Sequence, residues 1–239
     1  WSYAEYRQQV ESLAMGLVAI GIDRGDRVGI WSPNRVEWCL TQFATAKIGA
    51  IMVCINPAYR PYELEYALNK VECKAVISAE CFKTSEYLEM LQALAPELAE
   101  CAPGELTSAR FPHLKSIVRM GTAKTKGMFN FDEVCSMGGA TERERMTEIA
   151  ATLQPDDAIN IQFTSGTTGN PKGATLSHFN ILNNGLQVGA GMRFGKDDRL
   201  CIPVPLYHCF GMVMGNLACL THAACAVFPD EGFDPDVVL

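Results

Sequence analysis

Ten cysteines occur in the 239 residues, yet no two stand in C-x-x-C spacing. That removes the usual zinc and dithiol-redox signatures. Most of the ten lie inside apolar runs such as MVCIN (Met52–Asn56) and LCIPV (Leu200–Val204). They therefore read as small buried hydrophobes in a reducing compartment, not as a disulfide framework. No apolar run reaches the ~18 residues that a membrane-spanning helix needs. Positive charge is also scarce: 20 Lys and Arg against 27 Asp and Glu leave a net charge of −7. A protein that works by gripping nucleic-acid phosphates is usually basic, so that role is disfavoured, although a local basic site is allowed. The chain starts at Trp1 with no Met and no targeting segment, and a new turn forms shortly before Leu239. It reads as a piece of a longer protein.

What is present is core-forming material. Hydrophobic residues make up 48% of the chain, the length suits one large domain or two small ones, and nothing in the composition suggests disorder. Ser2 to Glu5 has the form of a capping box, followed by Tyr6, Val10, Leu13, Leu17 and Ile20 at helical spacing until Gly21. RVGIWS (Arg27–Ser32) reads as a buried strand. Asn34 is then a candidate cap for a second helix, with Glu37 three residues on and Gly49 near its end. AIMVCIN (Ala50–Asn56), a helix near Tyr62–Asn69 and KAVISA (Lys74–Ala79) continue the alternation. From Cys81 to about Glu148 the pattern is less regular, with a helix over Glu86–Leu98, a strand at KSIVRM (Lys115–Met120) and a Glu- and Arg-rich helix. TLQPDDA (Thr152–Ala158) leads into AINIQF (Ala158–Phe163). Then come GATLS (Gly173–Ser177), a helix capped by Ser177, a strand in LCIPVP, a helix over Phe210–Leu220 and a strand in AACAVFP. Continuous apolar strands alternating with helices predict parallel strands covered on both faces.

The stretch FTSGTTGNPKGATLSH (Phe163–His178) follows a buried strand. Glycines let backbone approach a ligand, and successive N–H groups can form an anion-binding nest. The hydroxyls of Thr164, Ser165, Thr167 and Thr168 can donate to phosphate oxygens or hold a metal through its waters, and Lys172 adds a positive charge on an approach stiffened by Pro171. The spacing is not that of a Walker A loop, since Lys172 precedes its glycine and no Ser or Thr follows directly. The G-x-G-x-x-G and G-x-S-x-G patterns are absent too. GATLS reads as a strand, so the loop is clamped between two strands rather than placed at a helix start. The alternative is a hydroxyl-rich turn with no ligand.

FTSGTTGNPKG (Phe163–Gly173) resembles the signature phosphate loop of the adenylate-forming superfamily, which includes acyl-CoA synthetases, luciferases and peptide-synthetase adenylation domains. GDRVGIWSPNRVEW (Gly25–Trp38), AKIGAIMVCINPAYRPYELEYAL (Ala46–Leu68) and PLYHCFGM (Pro205–Met212) are similar to other segments of that superfamily. The resemblance covers most of the chain and is weakest from Cys81 to Glu148. NPAYRPYELEY and PLYHCFGM lean towards fatty acyl-CoA synthetases of the mitochondrial medium-chain type.

The resemblance implies an α/β fold: an incomplete N-terminal adenylation domain of mostly parallel sheets flanked by helices in αβαβα layers. A first unit would cover about 1–150, and the phosphate loop with the start of a second unit about 151–239. It also implies a fatty acid–CoA ligase using ATP, Mg²⁺ and coenzyme A, with no nucleic-acid partner, in the mitochondrial matrix or alternatively the cytoplasm. Thr164, Ser165, Gly166, Thr167, Thr168, Gly169, Asn170, Pro171 and Lys172 would surround the ATP phosphates, with Thr168 towards Mg²⁺. Lys172, Thr168 and His208 would be catalytic, His208 as a positioner rather than a base. Tyr207, His208, Phe210 and Gly211 would line the acyl end. Read without the resemblance, His208 is a core or helix-cap histidine, and His178 supports a helix start. The family's Tyr-Gly-x-Thr-Glu segment, ribose-binding acid, hinge and C-terminal domain with its Lys do not occur before Leu239, so this piece alone is expected to be inactive. Competing readings are an adenylating ligase with another acceptor such as a carrier-protein thiol, an ATPase or kinase, and a non-catalytic interaction fragment.

Overall fold

Ser2 and Glu5 start the fold by capping one another. The Ser2 hydroxyl accepts from the Glu5 amide at 3.3 Å, and the Glu5 carboxylate accepts from the Ser2 amide at 2.7 Å. In the computed structural model, which describes residues 1–164 and 169–238, this box opens helix α1 (Tyr3–Ala19), with Leu13, Ala14 and Leu17 fully buried. The chain then alternates β1 (Arg27–Trp31), α2 (Val36–Lys47), β2 (Ile51–Cys54), α3 (Pro61–Lys70) and β3 (Cys73–Ser78). A small antiparallel hairpin, β4 (Cys81–Phe82) and β5 (Ser85–Glu86), precedes α4 (Tyr87–Leu94). Next come β6 (Ser116–Arg119), β7 (Phe129–Asn130), α5 (Phe131–Met137), α6 (Ala140–Ala150), β8 (Ala158–Thr164), β9 (Lys172–Ser177) and α7 (His178–Gly191). The last elements are β10 (Arg199–Cys201), a π-helix (Phe210–Leu217), α8 (Ala218–Thr221), β11 (Cys225–Val227) and α9 (Pro235–Val238).

One seven-stranded sheet runs in the order β7-β6-β3-β1-β2-β8-β9, so strands from both sides of residue 150 share it. Every neighbouring pair is parallel except β8–β9. Val28, Ile30, Trp31, Val53, Val76 and Ile77 are buried along its middle strands. Burial on both faces is why these strands are continuous apolar runs rather than alternating ones. The Trp31 indole stacks on the Tyr87 ring with centroids 3.8 Å apart, fixing α4 over the end of β1.

Four expectations are corrected. Asn34 does not cap α2: the cap position is Arg35, without a side-chain bond, because the Asn34 amide is engaged elsewhere. The helix expected over Glu86–Leu98 stops at Leu94 and resumes as a 3-10 turn at Pro96–Ala99, since Pro96 excludes its predecessor from helical geometry. The helix over Phe210–Leu220 is π-helical to Leu217 and α-helical only after it. The strand expected in LCIPVP keeps only Leu200 and Cys201, within a β10 that starts at Arg199, the one in AACAVFP shrinks to Cys225–Val227, and the two form a separate parallel pair, β10–β11. Helix α5, which the sequence pattern does not announce, packs against α1.

All ten cysteines carry free thiols. Cys39, Cys54, Cys73 and Cys219 are buried as expected, but Cys81, Cys201, Cys209 and Cys225 are exposed; Cys201 and Cys225 sit on the small β10–β11 pair, which leaves them uncovered. Burial pushes the Cys39, Cys54 and Cys73 thiols up to about 12, which suppresses the reactive thiolate. Iodoacetamide at mildly alkaline pH should therefore label the four exposed cysteines of the native chain and spare Cys39, Cys54 and Cys73 until denaturant is added. Peptide mass mapping checks this, and native labelling of Cys54 would contradict the core described above.

Candidate active site

In open parallel sheets the binding crevice lies outside the C-terminal ends of the strands. Cys54, the last residue of β2, pairs with Gln162 near the end of β8, so the segments that follow both strands leave the sheet at one edge. β9 returns antiparallel to β8, in a register that sets Thr164 opposite Lys172 and Phe163 opposite Gly173. The Thr164 hydroxyl donates to the Lys172 carbonyl at 3.4 Å. Lys172 therefore opens β9 directly across from the last residue of β8, and its side chain is exposed. The loop is clamped between two strands, as GATLS implied. Gly169 has φ +119, a conformation strained for any residue with a Cβ, and among the described residues nothing stands within 4 Å of where a Cβ would be. Asn170 is exposed, and the Pro171 carbonyl accepts from the Tyr66 hydroxyl of α3 at 3.1 Å. Ser165, Gly166, Thr167 and Thr168 lie outside the described residues.

The second segment, Pro205–Met212, is brought to the same edge by Asn34, which follows β1. The Asn34 side chain is 5% exposed and grips two backbone groups at once. Its Nδ2 donates to the Val204 carbonyl at 2.9 Å, and its Oδ1 accepts from the Leu206 amide at 2.8 Å. Two residues on, His208 Nδ1 accepts from the Phe210 amide at 3.1 Å, and the His208 carbonyl accepts from the Met212 amide at 3.1 Å. His208 thus caps the first turn of the π-helix. Because Nδ1 is an acceptor, the neutral ring carries its proton on Nε2, as a donor. Tyr207 lies edge-on to His208, with ring centroids 6.4 Å apart. Phe210 is 52% exposed. Gly211 has a packing role: a Cβ there would stand 2.5 Å from the Pro205 carbonyl oxygen.

A buried polar cluster joins the two segments, and sequence reading missed it. Asn160 Nδ2 and Gln162 Nε2 on β8 approach Cys54 Sγ at 3.3 and 3.2 Å, Gln162 Nε2 donates to Asn160 Oδ1 at 3.0 Å, and both approach Met212 Sδ on the π-helix. The signal was there: Asn160 and Gln162 alternate within an otherwise apolar strand. His178 opens α7, and its amide donates to the Asp157 carbonyl at 3.2 Å. Its Nε2 is buried without a partner, and burial lowers its pKa against an opposing pull from Asp157. Among the described residues no group of three His, Cys, Asp or Glu side chains is placed to hold a metal ion, and no helix is long and apolar enough to cross a membrane.

A hydroxyl-rich loop strung between antiparallel strands sets this fold apart from Walker-type nucleotide binders. The chain belongs to the family of AMP-binding enzymes, whose profile matches residues 1–239. It is 45% identical, over 98% of its length, to the mitochondrial medium-chain acyl-CoA ligase ACSF2 of Danio rerio, of which it covers 39%. It is 41% identical, over all of its length, to the protein YngI of Bacillus subtilis (strain 168), of which it covers 43%. Among solved structures, ATP-bound MatB from Rhodopseudomonas palustris superimposes with a TM-score of 0.71 at 28% identity, over 98% of this chain and 41% of that one. The chain thus spans about two fifths of the length of these relatives, and the fold matches their mostly parallel sheet flanked by helices.

Two outcomes follow from the geometry. Asn34→Ala leaves the Val204 carbonyl and Leu206 amide unpaired, so urea unfolding should report a loss of about 1–3 kcal/mol; an unchanged midpoint would remove the clamp. The His178 pKa in the folded chain lies below its ordinary 6.5, so protonation favours the unfolded state. Stability is then fully present above about pH 6.5 and declines as the pH falls towards the folded value. Urea midpoints should drop less in His178→Gln than in the native chain between about pH 7 and 5.5, and equal drops would contradict the burial.

Proposed function

We propose that this chain is the nucleotide-phosphate and acid-positioning part of an AMP-forming acyl-CoA ligase. A fatty-acid carboxylate oxygen attacks the α-phosphorus of ATP, the bond from that phosphorus to the bridging oxygen breaks, and pyrophosphate leaves acyl-AMP behind. The sulfur of coenzyme A then attacks the acyl carbon and AMP departs. Forming the mixed anhydride replaces an oxide leaving group with a good one, and it requires the charge gathering on pyrophosphate to be held. Positioning and charge stabilisation dominate such transfers.

In this reading Lys172 meets the β- and γ-phosphates. The Thr164 hydroxyl and the backbone at Gly169 and Asn170 line their path, together with Ser165, Gly166, Thr167 and Thr168. His208 offers its Nε2 proton to an oxygen of the acid or the α-phosphate, while Tyr207 and Phe210 flank the acyl group. Mg²⁺ would accompany the nucleotide, but the described residues supply no carboxylate set for it, and no step here is routed through a metal. The name of the Danio rerio relative favours medium-chain acids and a mitochondrial location.

The observation that carries the reading is the β8–β9 register, which sets the exposed Lys172 across from Thr164 at the C-terminal edge of the sheet. The ATP-bound relative of the same fold supports it. The test is ATP–pyrophosphate exchange by the complete protein over acids of increasing chain length. Exchange should require a fatty acid, and Lys172→Ala should lower it about 100-fold, the scale reported for deleting one preorganised donor. Exchange without acid would reject the ligase reading, and full exchange in Lys172→Ala would reject the role of the loop.

A further inference from the structure

Helix α3 buries Leu64, Ala67 and Leu68, and Tyr66 on the same helix is half-buried. The Tyr66 hydroxyl reaches the β8–β9 hairpin and donates to the Pro171 carbonyl at 3.1 Å. Pro171 stands one residue before Lys172, outside the β8–β9 ladder, which closes at the Thr164–Lys172 pair. Proline has no N–H to offer, so the carbonyl is the polar backbone handle by which this residue can be held. Tyr66 takes hold of it from an element 105 residues away in sequence.

The element that does so is itself fixed. Glu63 accepts from the Arg60 amide at 3.1 Å at the start of α3, and Arg60 Nη1 donates to the Ser85 hydroxyl at 2.8 Å. Upstream, Asn56 Oδ1 accepts from the Ala58 amide at 2.9 Å, and the Pro57 carbonyl accepts from the buried Tyr87 hydroxyl at 2.6 Å. The same lead-in carries Tyr59, which burial and then the nearby Tyr207 hold above the usual tyrosine range. The anchored helix therefore reaches the exit of the proposed phosphate loop through Tyr66.

We propose that Tyr66 is a positioning residue for Lys172: its hydroxyl pins the peptide from which β9 and the Lys172 side chain depart, so that the ammonium group is preorganised for the nucleotide phosphates. The proposal rests on the reading of the loop given above. A fixed carbonyl one residue upstream restricts the backbone rotation that aims the lysine, and preorganisation is what makes such a donor effective.

Tyr66→Phe removes one hydroxyl and keeps the ring. In ATP–pyrophosphate exchange by the complete protein it should raise KM for ATP about three- to tenfold, the range that one neutral hydrogen bond supports. KM for the acid should stay within about twofold, and the urea midpoint should fall by no more than one hydrogen bond is worth, about 0.5–1.5 kcal/mol. Without nucleotide, amide hydrogen exchange in the peptide 169–175 should run several-fold faster. Tyr62→Phe, altering a ring on the same helix that is 71% exposed, should change none of these. An unchanged ATP KM in Tyr66→Phe beside a defective Lys172→Ala would overturn the positioning role and leave the loop reading intact. No effect in either variant would remove both. An equal loss for ATP and acid together with a larger fall in the midpoint would make the bond merely structural.

Discussion

Six strands of the sheet point one way, and β9 alone comes back. The site depends on that reversal. The parallel strands deliver their following segments to one edge, and a strand returning from that edge begins where its neighbour ends. Lys172 opens β9 and so stays beside Thr164. Had the chain crossed over and entered β9 in the parallel sense, Lys172 would start at the opposite edge, about 20 Å away at ~3.3 Å per residue. A lysine on such a return stays at the edge where the segments following β2 and β8 leave the sheet.

Around this hairpin the first part of the chain acts as a frame. Two uncharged side chains, Asn34 and Tyr66, reach from segments following β1 and β2 to backbone far along the sequence. Both bind carbonyls or amides rather than side chains, so they fix the path of the chain independently of the side chains that would meet a ligand. The cluster of Cys54, Asn160, Gln162 and Met212 does the same work inside, coupling β8 to the π-helix through soft sulfur acceptors and carboxamides. Polar groups in a core demand partners, and here the partners lie on the elements that must keep register with one another.

Much of this is legible in the sequence. The Ser2–Glu5 box, the apolar strands and the strand following the loop are local matters, decided by neighbours within a few residues. The loop after β8 also stands out in the sequence, because its residue types and spacing are unusual, and the phosphate role proposed for it rests on them. What escaped was decided at long range. Asn34 had the credentials of a helix cap, yet two backbone groups 170 and 172 residues away compete for its amide more effectively. Cys201 lies in an apolar run that looks buried, but its strand pairs only with β11 and leaves the side chain uncovered. The π-helical register after His208 leaves no periodic mark in a segment where Gly211 and Gly215 interrupt the apolar pattern. The break at Pro96 could have been read, since a proline in mid-helix is a local signal.

The reversal of β9 also leaves a rim. Among the described residues it is the terminal strand of the sheet, and Gly173 to Ser177 carry no charge with which to repel a neighbouring molecule. Such rims invite strand-to-strand association between copies, and nature often blunts them with a single cation. Lys172 stands at the mouth of this one. The group proposed to meet the nucleotide thus also places a positive charge at the start of the sheet's terminal strand.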